Sequence, residues 1–207
     1  GESQRALDLL DEMRSSGLVP DAITYNSVID ACATGGESQR AFELLDEMRS
    51  RGLVPNEITY NSVINACAKG DEWQRALNLL DDMRSRGLVP DEITYNSVID
   101  ACAKGGESQR AFELLEEMRT RGLVPKEITY NSDIDACAKG GESQRALNLL
   151  DEMRSRGLVP NEITYSSVIN ACAKGGESGR ALNLLGEMRP HGLVPNEVTY
   201  SSGIDED

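Results

Sequence analysis

Residues 57–91 read EITYNSVINACAKGDEWQRALNLLDDMRSRGLVPD, and close variants of this pattern return along the chain every 35 residues. A proline near the end of the pattern marks the step, and a tyrosine follows each proline by five residues. The prolines are Pro20, Pro55, Pro90, Pro125, Pro160 and Pro195. A fixed period of this length is typical of a solenoid, in which each unit buries its apolar side only against its neighbours. The sequence therefore predicts a stack of small units instead of one globular core.

The quoted unit has the hydrophobic spacing of two helices. The apolar residues of its first half share one helix face by the i, i+3, i+4, i+7 rule; they are Tyr60, Val63, Ile64 and Cys67. Those of its second half share another face; they are Ala76, Leu79, Leu80 and Met83. Gly87 and Pro90 then stand where a helix ends and cannot continue. The predicted fold is all-α, a right-handed α-solenoid of 35-residue helix-turn-helix repeats whose first helices line the concave side.

The whole chain, residues 1–207, is predicted to be one solenoid. Five complete repeats fall at 22–56, 57–91, 92–126, 127–161 and 162–196. Residues 1–21 match the second helix of a repeat, and residues 197–207 match a first helix. Neither end resembles the atypical unit that normally covers the last apolar face of a solenoid. We therefore expect a segment of a longer array, and end-to-end self-association at high protein concentration.

Composition restricts the partners. Lys and Arg number 21 against 35 Asp and Glu, which gives a net charge of −14 and argues against general adhesion to nucleic acid or to an anionic membrane. No apolar run approaches the roughly 20 residues that cross a bilayer. The N-terminus carries no basic and then apolar targeting signal. We expect no membrane partner.

Five cysteines occupy the same place in successive repeats: Cys32, Cys67, Cys102, Cys137 and Cys172. Equivalent helices in a stack lie about 8–10 Å apart, whereas the Cα atoms of a disulfide lie about 4.4–6.8 Å apart. With one histidine and no CxxC pair, no metal site is predicted. We expect small buried thiols that pack like alanine, and neither a cofactor nor a small-molecule substrate.

A second stripe on each first helix is mostly polar. In the quoted repeat it contains Ile58, Asn61, Asn65 and Lys69. An exposed isoleucine beside a short amide suits a flat ring that packs on the isoleucine and turns its polar edge to the amide. The same residues suit a solvated helix face whose isoleucine is covered by the adjoining repeat. Spacing alone leaves both interpretations open.

The repeat resembles the pentatricopeptide repeat. Its period, its tyrosine, the run RALNLLDDMR and the ending GLVP match that family, and they do so over nearly the whole chain. The tetratricopeptide repeat fits less well, because it has 34 residues and a Trp-x-x-Leu-Gly opening that is absent here. The resemblance implies binding of single-stranded RNA, one nucleotide per repeat and parallel to the chain. It also implies a location in the mitochondrion or chloroplast.

The resemblance further implies which residues contact the bases. In this family the residue after the tyrosine and the residue after the closing proline choose the base together, and the aliphatic residue two before the tyrosine sandwiches it. The reading pairs are then Asn26 with Asn56, Asn61 with Asp91, Asn96 with Lys126, Asn131 with Asn161, and Ser166 with Asn196. The sandwiching residues are Ile23, Ile58, Ile93, Ile128, Ile163 and Val198.

These pairs imply the target 5′-(C/U)-U-N-(C/U)-A-3′. An amide can donate and accept, so it can address a pyrimidine edge, while a carboxylate accepts from an N–H donor. Lys126 departs from the usual Asp or Asn, which leaves the third base open. Lysines close the polar stripe and are assigned to the groove and its phosphates; they are Lys69, Lys104, Lys139 and Lys174. Because Asp30, Asp100 and Asp135 share the stripe, we expect a weakly basic groove.

A structural alternative exists for the second member of each pair. Asp91 and its equivalents immediately precede a helix, where Asp and Asn are favoured N-caps without any RNA. The residue after the tyrosine has no such explanation, because asparagine inside a helix costs helix propensity. Asn61 and its equivalents are therefore the stronger functional indication.

No enzyme is predicted, and no catalytic residue. Some relatives carry a zinc deaminase domain with HxE and CxxC elements, and this chain has neither. The alternative function is a helical-repeat scaffold that binds a peptide or protein in the same groove. A peptide groove, however, would not need the same amide after each tyrosine.

Two irregularities predict weak points. Asp133 stands where the other repeats have a buried valine, which should cost stability unless its carboxylate finds a partner. Gly179, Gly186 and Pro190 should weaken the last complete second helix.

Overall fold

The computed structural model describes residues 1–190, 192–195 and 199–200. Within them it contains eleven α-helices and no strand. The helices are α1 (Glu2–Ser15), α2 (Ala22–Thr34), α3 (Ser38–Ser50), α4 (Glu57–Lys69), α5 (Trp73–Ser85), α6 (Glu92–Lys104), α7 (Ser108–Thr120), α8 (Glu127–Gly140), α9 (Ser143–Ser155), α10 (Glu162–Lys174) and α11 (Ser178–Met188). The even-numbered helices are the first helices of the repeats. The predicted all-α helical-repeat fold is confirmed.

The chain divides into two compact units, Gly1–Ala101 and Cys102–Asp207, and the boundary falls within α6. In the N-terminal unit, α2 packs against both α3 and α4, and α4 packs against α5. In the C-terminal unit, α8 packs against α9 and α10, and α10 packs against α11. In both units a first helix therefore contacts its own second helix and the next first helix.

Four of the described first helices, α2, α4, α6 and α10, begin at an Asp or Asn side-chain cap. Asn56 accepts a hydrogen bond from the Thr59 backbone N–H at 3.1 Å, and the Thr59 hydroxyl accepts one from the Asn56 backbone N–H at 3.1 Å. This reciprocal pair satisfies two of the donors that every helix N-terminus leaves open. Asp21 and Asn161 accept in the same way from Thr24 and Thr164.

The second helices end in a Schellman motif. After α5, Gly87 has a φ of 77°, its N–H donates to the Arg84 carbonyl at 2.9 Å, and the Leu88 N–H donates to the Met83 carbonyl at 3.1 Å. Only glycine adopts this left-handed conformation without a Cβ clash, which explains why a glycine stands here in every repeat.

The core is formed by the predicted stripes. Tyr60, Val63, Ile64 and Cys67 are fully buried, and α5 adds Ala76, Leu80 and Met83. The five cysteines are buried and free, which confirms the prediction of small buried thiols. Burial raises the pKa of Cys67, Cys102 and Cys137 to about 12, so these thiols are unreactive in the folded protein.

Asp133 is the main defect of the core. It is 0% exposed, and neither carboxylate oxygen has a hydrogen-bond partner among the described residues. The equivalent valines Val28, Val63, Val98 and Val168 are all buried. No hydrogen bond among the described residues therefore compensates for the burial of the Asp133 carboxyl group.

The last second helix is short. α11 has 11 residues, whereas α9 has 13. Pro190 occupies the place of Ser155 and has no backbone N–H with which to continue the helix. The predicted weakness of this helix is visible as an early end at Met188.

Candidate nucleic-acid interface

An exposed isoleucine lies near the start of each described first helix. The exposed fraction is 75% for Ile23, 62% for Ile58, 61% for Ile93, 61% for Ile128 and 64% for Ile163. The adjoining repeat therefore leaves most of each of these five side chains uncovered. Val198, the sixth predicted sandwiching residue, lies outside the described residues.

The residue after each buried tyrosine lies at the margin between core and solvent. Asn26, Asn61, Asn96, Asn131 and Ser166 are all half-buried. Asn61 donates from Nδ2 to Oδ1 of Asp91 at 3.4 Å, and Asn26 donates in the same way to Asn56 at 3.4 Å. The structure thus brings the two members of these predicted pairs together.

The other predicted pairs are placed less completely. Asn131 is half-buried and Asn161 is exposed on the C-terminal unit, with Asn161 acting as the cap of α10. Asn96 lies in the N-terminal unit and Lys126 in the C-terminal unit. Asn196, the predicted partner of Ser166, lies outside the described residues.

The second member of each pair has a structural role as well. Asp91 accepts from the Thr94 backbone N–H at 2.9 Å, as the capping interpretation predicted. Burial alone would raise the pKa of Asp91, but hydrogen bonds from Thr94 and Asn61 lower it below the ordinary value. The carboxylate is therefore ionised at neutral pH and presents an acceptor beside the Asn61 amide.

Two family models cover this chain. The model described as the pentacotripeptide-repeat region of PRORP matches residues 1–156, and the model described as the pentatricopeptide repeat domain matches residues 148–205. The chain belongs to the pentatricopeptide repeat family. Among curated protein sequences, none matches it.

Solved pentatricopeptide repeat structures have the same fold. Maize PPR10 is 35% identical with a TM-score of 0.67, over 99% of this chain and 29% of that one. PPR10 in complex with an 18-nt psaJ RNA element is 26% identical with a TM-score of 0.50, over 98% of this chain and 40% of that one. The chain thus spans well under half the length of the PPR10 chains.

A third solved relative is more distant in sequence. The PPR domain of protein-only RNase P 1 from Arabidopsis thaliana, in complex with tRNA, is 19% identical with a TM-score of 0.71. The match covers 84% of this chain and 91% of that domain. At this identity the likeness shows the fold alone.

The four predicted groove lysines are exposed, and two of them bind the backbone. Lys69 Nζ donates to the Thr34 carbonyl at 3.2 Å, and Lys139 Nζ donates to the Ala103 carbonyl at 2.9 Å. Both carbonyls belong to the last turn of the preceding first helix, where cations are favoured. In this pentatricopeptide repeat chain the two lysines therefore cap helix C-termini, with their charge at the edge of the stripe.

One recurring residue was missed by reading the sequence. The threonine immediately before each tyrosine is fully buried at Thr59, Thr94, Thr129 and Thr164, and the first, second and fourth of these donate to the asparagine of the preceding repeat. The signal was present, because a threonine stands at this place in all six units. Its hydroxyl is directed across the repeat boundary, which periodicity does not reveal.

Proposed function

We propose that this chain binds single-stranded RNA, one base per repeat, through the exposed isoleucines and the neighbouring reading pairs. The observation that carries the proposal is the pairing of an isoleucine that is 62% exposed with a half-buried amide three residues later, Ile58 and Asn61. An aromatic base gains contact on such a side chain and finds its polar edge against the amide. PPR10, a member of the same family, has been solved with a psaJ RNA element.

The hydrogen bonds support the base assigned to Asn61 and Asp91. Asn61 Oδ1 already accepts from Thr94, so the amide turns its NH2 donor towards the groove, beside the ionised Asp91. Uracil offers the complement, an N3–H donor flanked by carbonyl acceptors. U at the second position is therefore the base that this pair fits best.

The pair Asn26 and Asn56 differs in its acceptor. Asn56 Oδ1 accepts from the Thr59 backbone at 3.1 Å and from Asn26 at 3.4 Å. The NH2 group of Asn56 is left to donate to a base in the groove, which suits the N3 and O2 acceptors of cytosine. We propose 5′-(C/U)-U-N-(C/U)-A-3′ as the target, with the five repeats 22–56, 57–91, 92–126, 127–161 and 162–196 in that order.

The test is an exchange of base preference at one repeat. RNA 5′-CUACA-3′ and its variants with G or C at the second base are titrated against the parent and Asn61→Ser, with duplex RNA and an unrelated peptide as controls. We expect the preference to move from U towards G, because the family pairs Ser plus Asp with guanine. Affinity in the micromolar range and a strong loss with added salt are expected for so few bases on an acidic protein.

Melting is measured alongside. Asn61 is not part of the buried stripe, and Ser166 fills the same place with a 2.8 Å contact to Thr199, so Asn61→Ser should melt like the parent. If it does so and keeps the parent's base preference, the pair is not a base reader. Tight binding of the peptide instead of RNA would favour the scaffold function.

We infer that the chain acts by binding and does not itself catalyse a reaction on RNA. The nuclear proteinaceous RNase P 2 of Arabidopsis thaliana matches with a TM-score of 0.75, but only over 41% of that protein. None of the described helices is both long and apolar enough to cross a membrane. A location in the mitochondrion or chloroplast follows from family membership as a further proposal, which subcellular fractionation would test.

We also propose that this chain associates end to end with a second copy. Leu9 of α1 is 57% exposed, whereas the equivalent leucines of the later second helices are between 3% and 6% exposed. They are Leu44, Leu79, Leu114, Leu149 and Leu184. A surface that is buried at every later place in the array is complementary to another repeat of the same kind.

A further inference from the structure

The buried threonines connect one repeat to the reading residue of the repeat before it. Thr59, Thr94 and Thr164 are each 0% exposed. Their hydroxyls donate to Oδ1 of Asn26 at 2.6 Å, of Asn61 at 2.7 Å and of Asn131 at 2.7 Å. In each case the asparagine stands 33 residues earlier. The same contact therefore recurs within both compact units.

Each hydroxyl has a choice of acceptor. Thr59 Oγ1 also lies 3.1 Å from the cap oxygen of Asn56, Thr94 Oγ1 lies 2.9 Å from that of Asp91, and Thr164 Oγ1 lies 3.1 Å from that of Asn161. A hydroxyl has a single proton, and the asparagine of the preceding repeat is the nearer acceptor in all three. The threonine oxygen meanwhile accepts from the cap backbone N–H, at 3.1 Å in each repeat, so its donor proton is left for the asparagine.

This donor decides which way the amide faces. A carboxamide has an acceptor side and a donor side of nearly equal shape, and only the oxygen can accept from the threonine. With Oδ1 turned inward to Thr94, the NH2 group of Asn61 points to Asp91 and the groove. Without the hydroxyl, only the long 3.4 Å bond from Asn61 Nδ2 to Asp91 holds this orientation, and the amide turns over more readily to present an acceptor in place of a donor.

We propose that Thr94 is a positioning residue for base selection, which holds the Asn61 amide with its NH2 towards the base. Thr59 and Thr164 do the same for Asn26 and Asn131. Base choice in one repeat thus depends on a buried side chain of the next repeat. The effect on base choice rests on the proposed RNA binding, whereas the orientation of the amide is a property of the free protein.

Serine as the reading residue offers a contrast within the chain. The Ser166 and Thr199 hydroxyls lie 2.8 Å apart, and either oxygen can be the donor. The oxygen of a hydroxyl both donates and accepts, so serine has no separate donor and acceptor sides whose orientation a threonine could fix. The positioning role therefore belongs to the repeats that carry asparagine.

The test compares Thr94→Val with Thr94→Ser. Valine keeps the shape and removes the hydroxyl, while serine keeps the hydroxyl. Binding of 5′-CUACA-3′ and 5′-CCACA-3′ gives the preference for U over C at the second base. We expect this preference to fall at least threefold in Thr94→Val and to stay near the parent value in Thr94→Ser.

The chain offers a matched control in Thr24→Val. Asp21 caps α2 by accepting from the Thr24 backbone N–H at 2.9 Å and from the Thr24 hydroxyl at 2.9 Å. Thr24→Val removes a hydroxyl that donates to the cap residue Asp21 instead of to a reading asparagine, so the base preference should not move. An equal loss in Thr24→Val would overturn the proposal, since capping alone would then explain it.

A second readout needs no RNA. The side-chain NH2 signals of Asn61 in the free protein, followed by NMR, should shift in Thr94→Val and stay in place in Thr94→Ser. Unchanged signals together with an unchanged base preference in Thr94→Val would contradict the proposal. Shifted signals in a chain that binds no RNA would uphold the positioning and reject the RNA-binding function. If Thr94→Val does not fold, Thr59→Val and Thr59→Ser repeat the comparison at Asn26.

Discussion

The buried carboxyl group of Asp133, in the C-terminal unit, has no hydrogen-bond partner among the described residues. Burial raises the pKa of Asp133 to about 7, while Arg145 and Arg119 oppose the shift and Glu142 and Glu116 add to it. The unfolded carboxyl titrates near 3.9. Between about pH 4 and pH 7 the unfolded chain therefore gives up the proton more readily, and stability falls as the pH rises through this window.

Asp133→Val should remove this loss. The free energies of unfolding of the parent and the variant should differ least below pH 4. The difference in favour of the variant should grow up to about pH 7 and stay constant above it. A rise of about 3 pKa units corresponds to a difference in unfolding free energy of about 4 kcal/mol. Urea denaturation across the pH range measures it, with Asp151→Asn as the control at an exposed carboxylate. A difference that shrinks with rising pH would contradict the burial of an uncompensated carboxyl.

Asp71 carries backbone strain. Its φ is 55°, and the residues at the same place in the other repeats are glycines, for example Gly106 at 74°. An aspartate in this left-handed region is less favourable than glycine. Asp71→Gly should therefore stabilise the protein by about 0.5–1 kcal/mol, as measured by urea denaturation. Gly106→Asp should lose a similar amount, since open space surrounds its Cβ position and only the backbone is changed.

Single residues divide into those that the sequence revealed and those that it did not. The burial of Asp133 was predictable, because four equivalent positions carry valine. The inward donation by Thr94 was not, because it depends on how closely one helix approaches the next, which spacing along one helix cannot give. The same holds for Lys69 and Lys139, whose carbonyl partners lie 35 and 36 residues away.

At the scale of helices, a tyrosine hydroxyl joins three of them. Tyr60 of α4 accepts from Arg49 of α3 at 2.9 Å and donates to Asp82 of α5 at 2.6 Å. The arginine carbon Cζ also lies 5.8 Å from the centre of the ring, within the range of a cation–π contact. In the C-terminal unit, Tyr130 has the same two kinds of partner.

Tyr60→Phe should lower the free energy of unfolding by about 1–2 kcal/mol, because Arg49 and Asp82 each lose the hydrogen bond that they make with the Tyr60 hydroxyl. Burial tends to raise the pKa of Asp82, and hydrogen bonds from Tyr60 and Arg86 lower it below the usual range. The variant should therefore also show a higher pKa at Asp82. NMR titration of its carboxyl carbon, together with denaturation, checks both effects; unchanged values for both would show that the bridge contributes nothing.

The helices themselves were predictable to a large extent. The stripe of Tyr60, Val63, Ile64 and Cys67 predicted the first helix of this repeat, and all four residues lie in α4, Glu57–Lys69. The early end of α11 also followed from Pro190. The helices can be predicted because the same apolar spacing and the same glycine and proline stop signals recur in each repeat. The side-chain bridges between helices carry no such pattern.

At the scale of the molecule, Leu9 gives the prediction for self-association. Sedimentation of the parent should show larger species as protein concentration rises towards the millimolar range, because the exposed leucine face gains burial on a second copy. Leu9→Lys should remain monomeric over the same range. Leu44→Lys is no substitute as a control, because Leu44 is 5% exposed and its loss would disturb the core. A parent that stays monomeric at millimolar concentration would rule out the association.

The buried cysteines provide a natural probe of local unfolding in each repeat that contains one. Each is fully covered, and burial raises the pKa of every one of them. An alkylating reagent can therefore modify a thiol only while its own repeat is open. Mass spectrometry of timed alkylation would then give an opening rate for Cys32, Cys67, Cys102, Cys137 and Cys172 separately. The experiment would measure how often each of these repeats unfolds locally, without the introduction of any additional cysteine or probe.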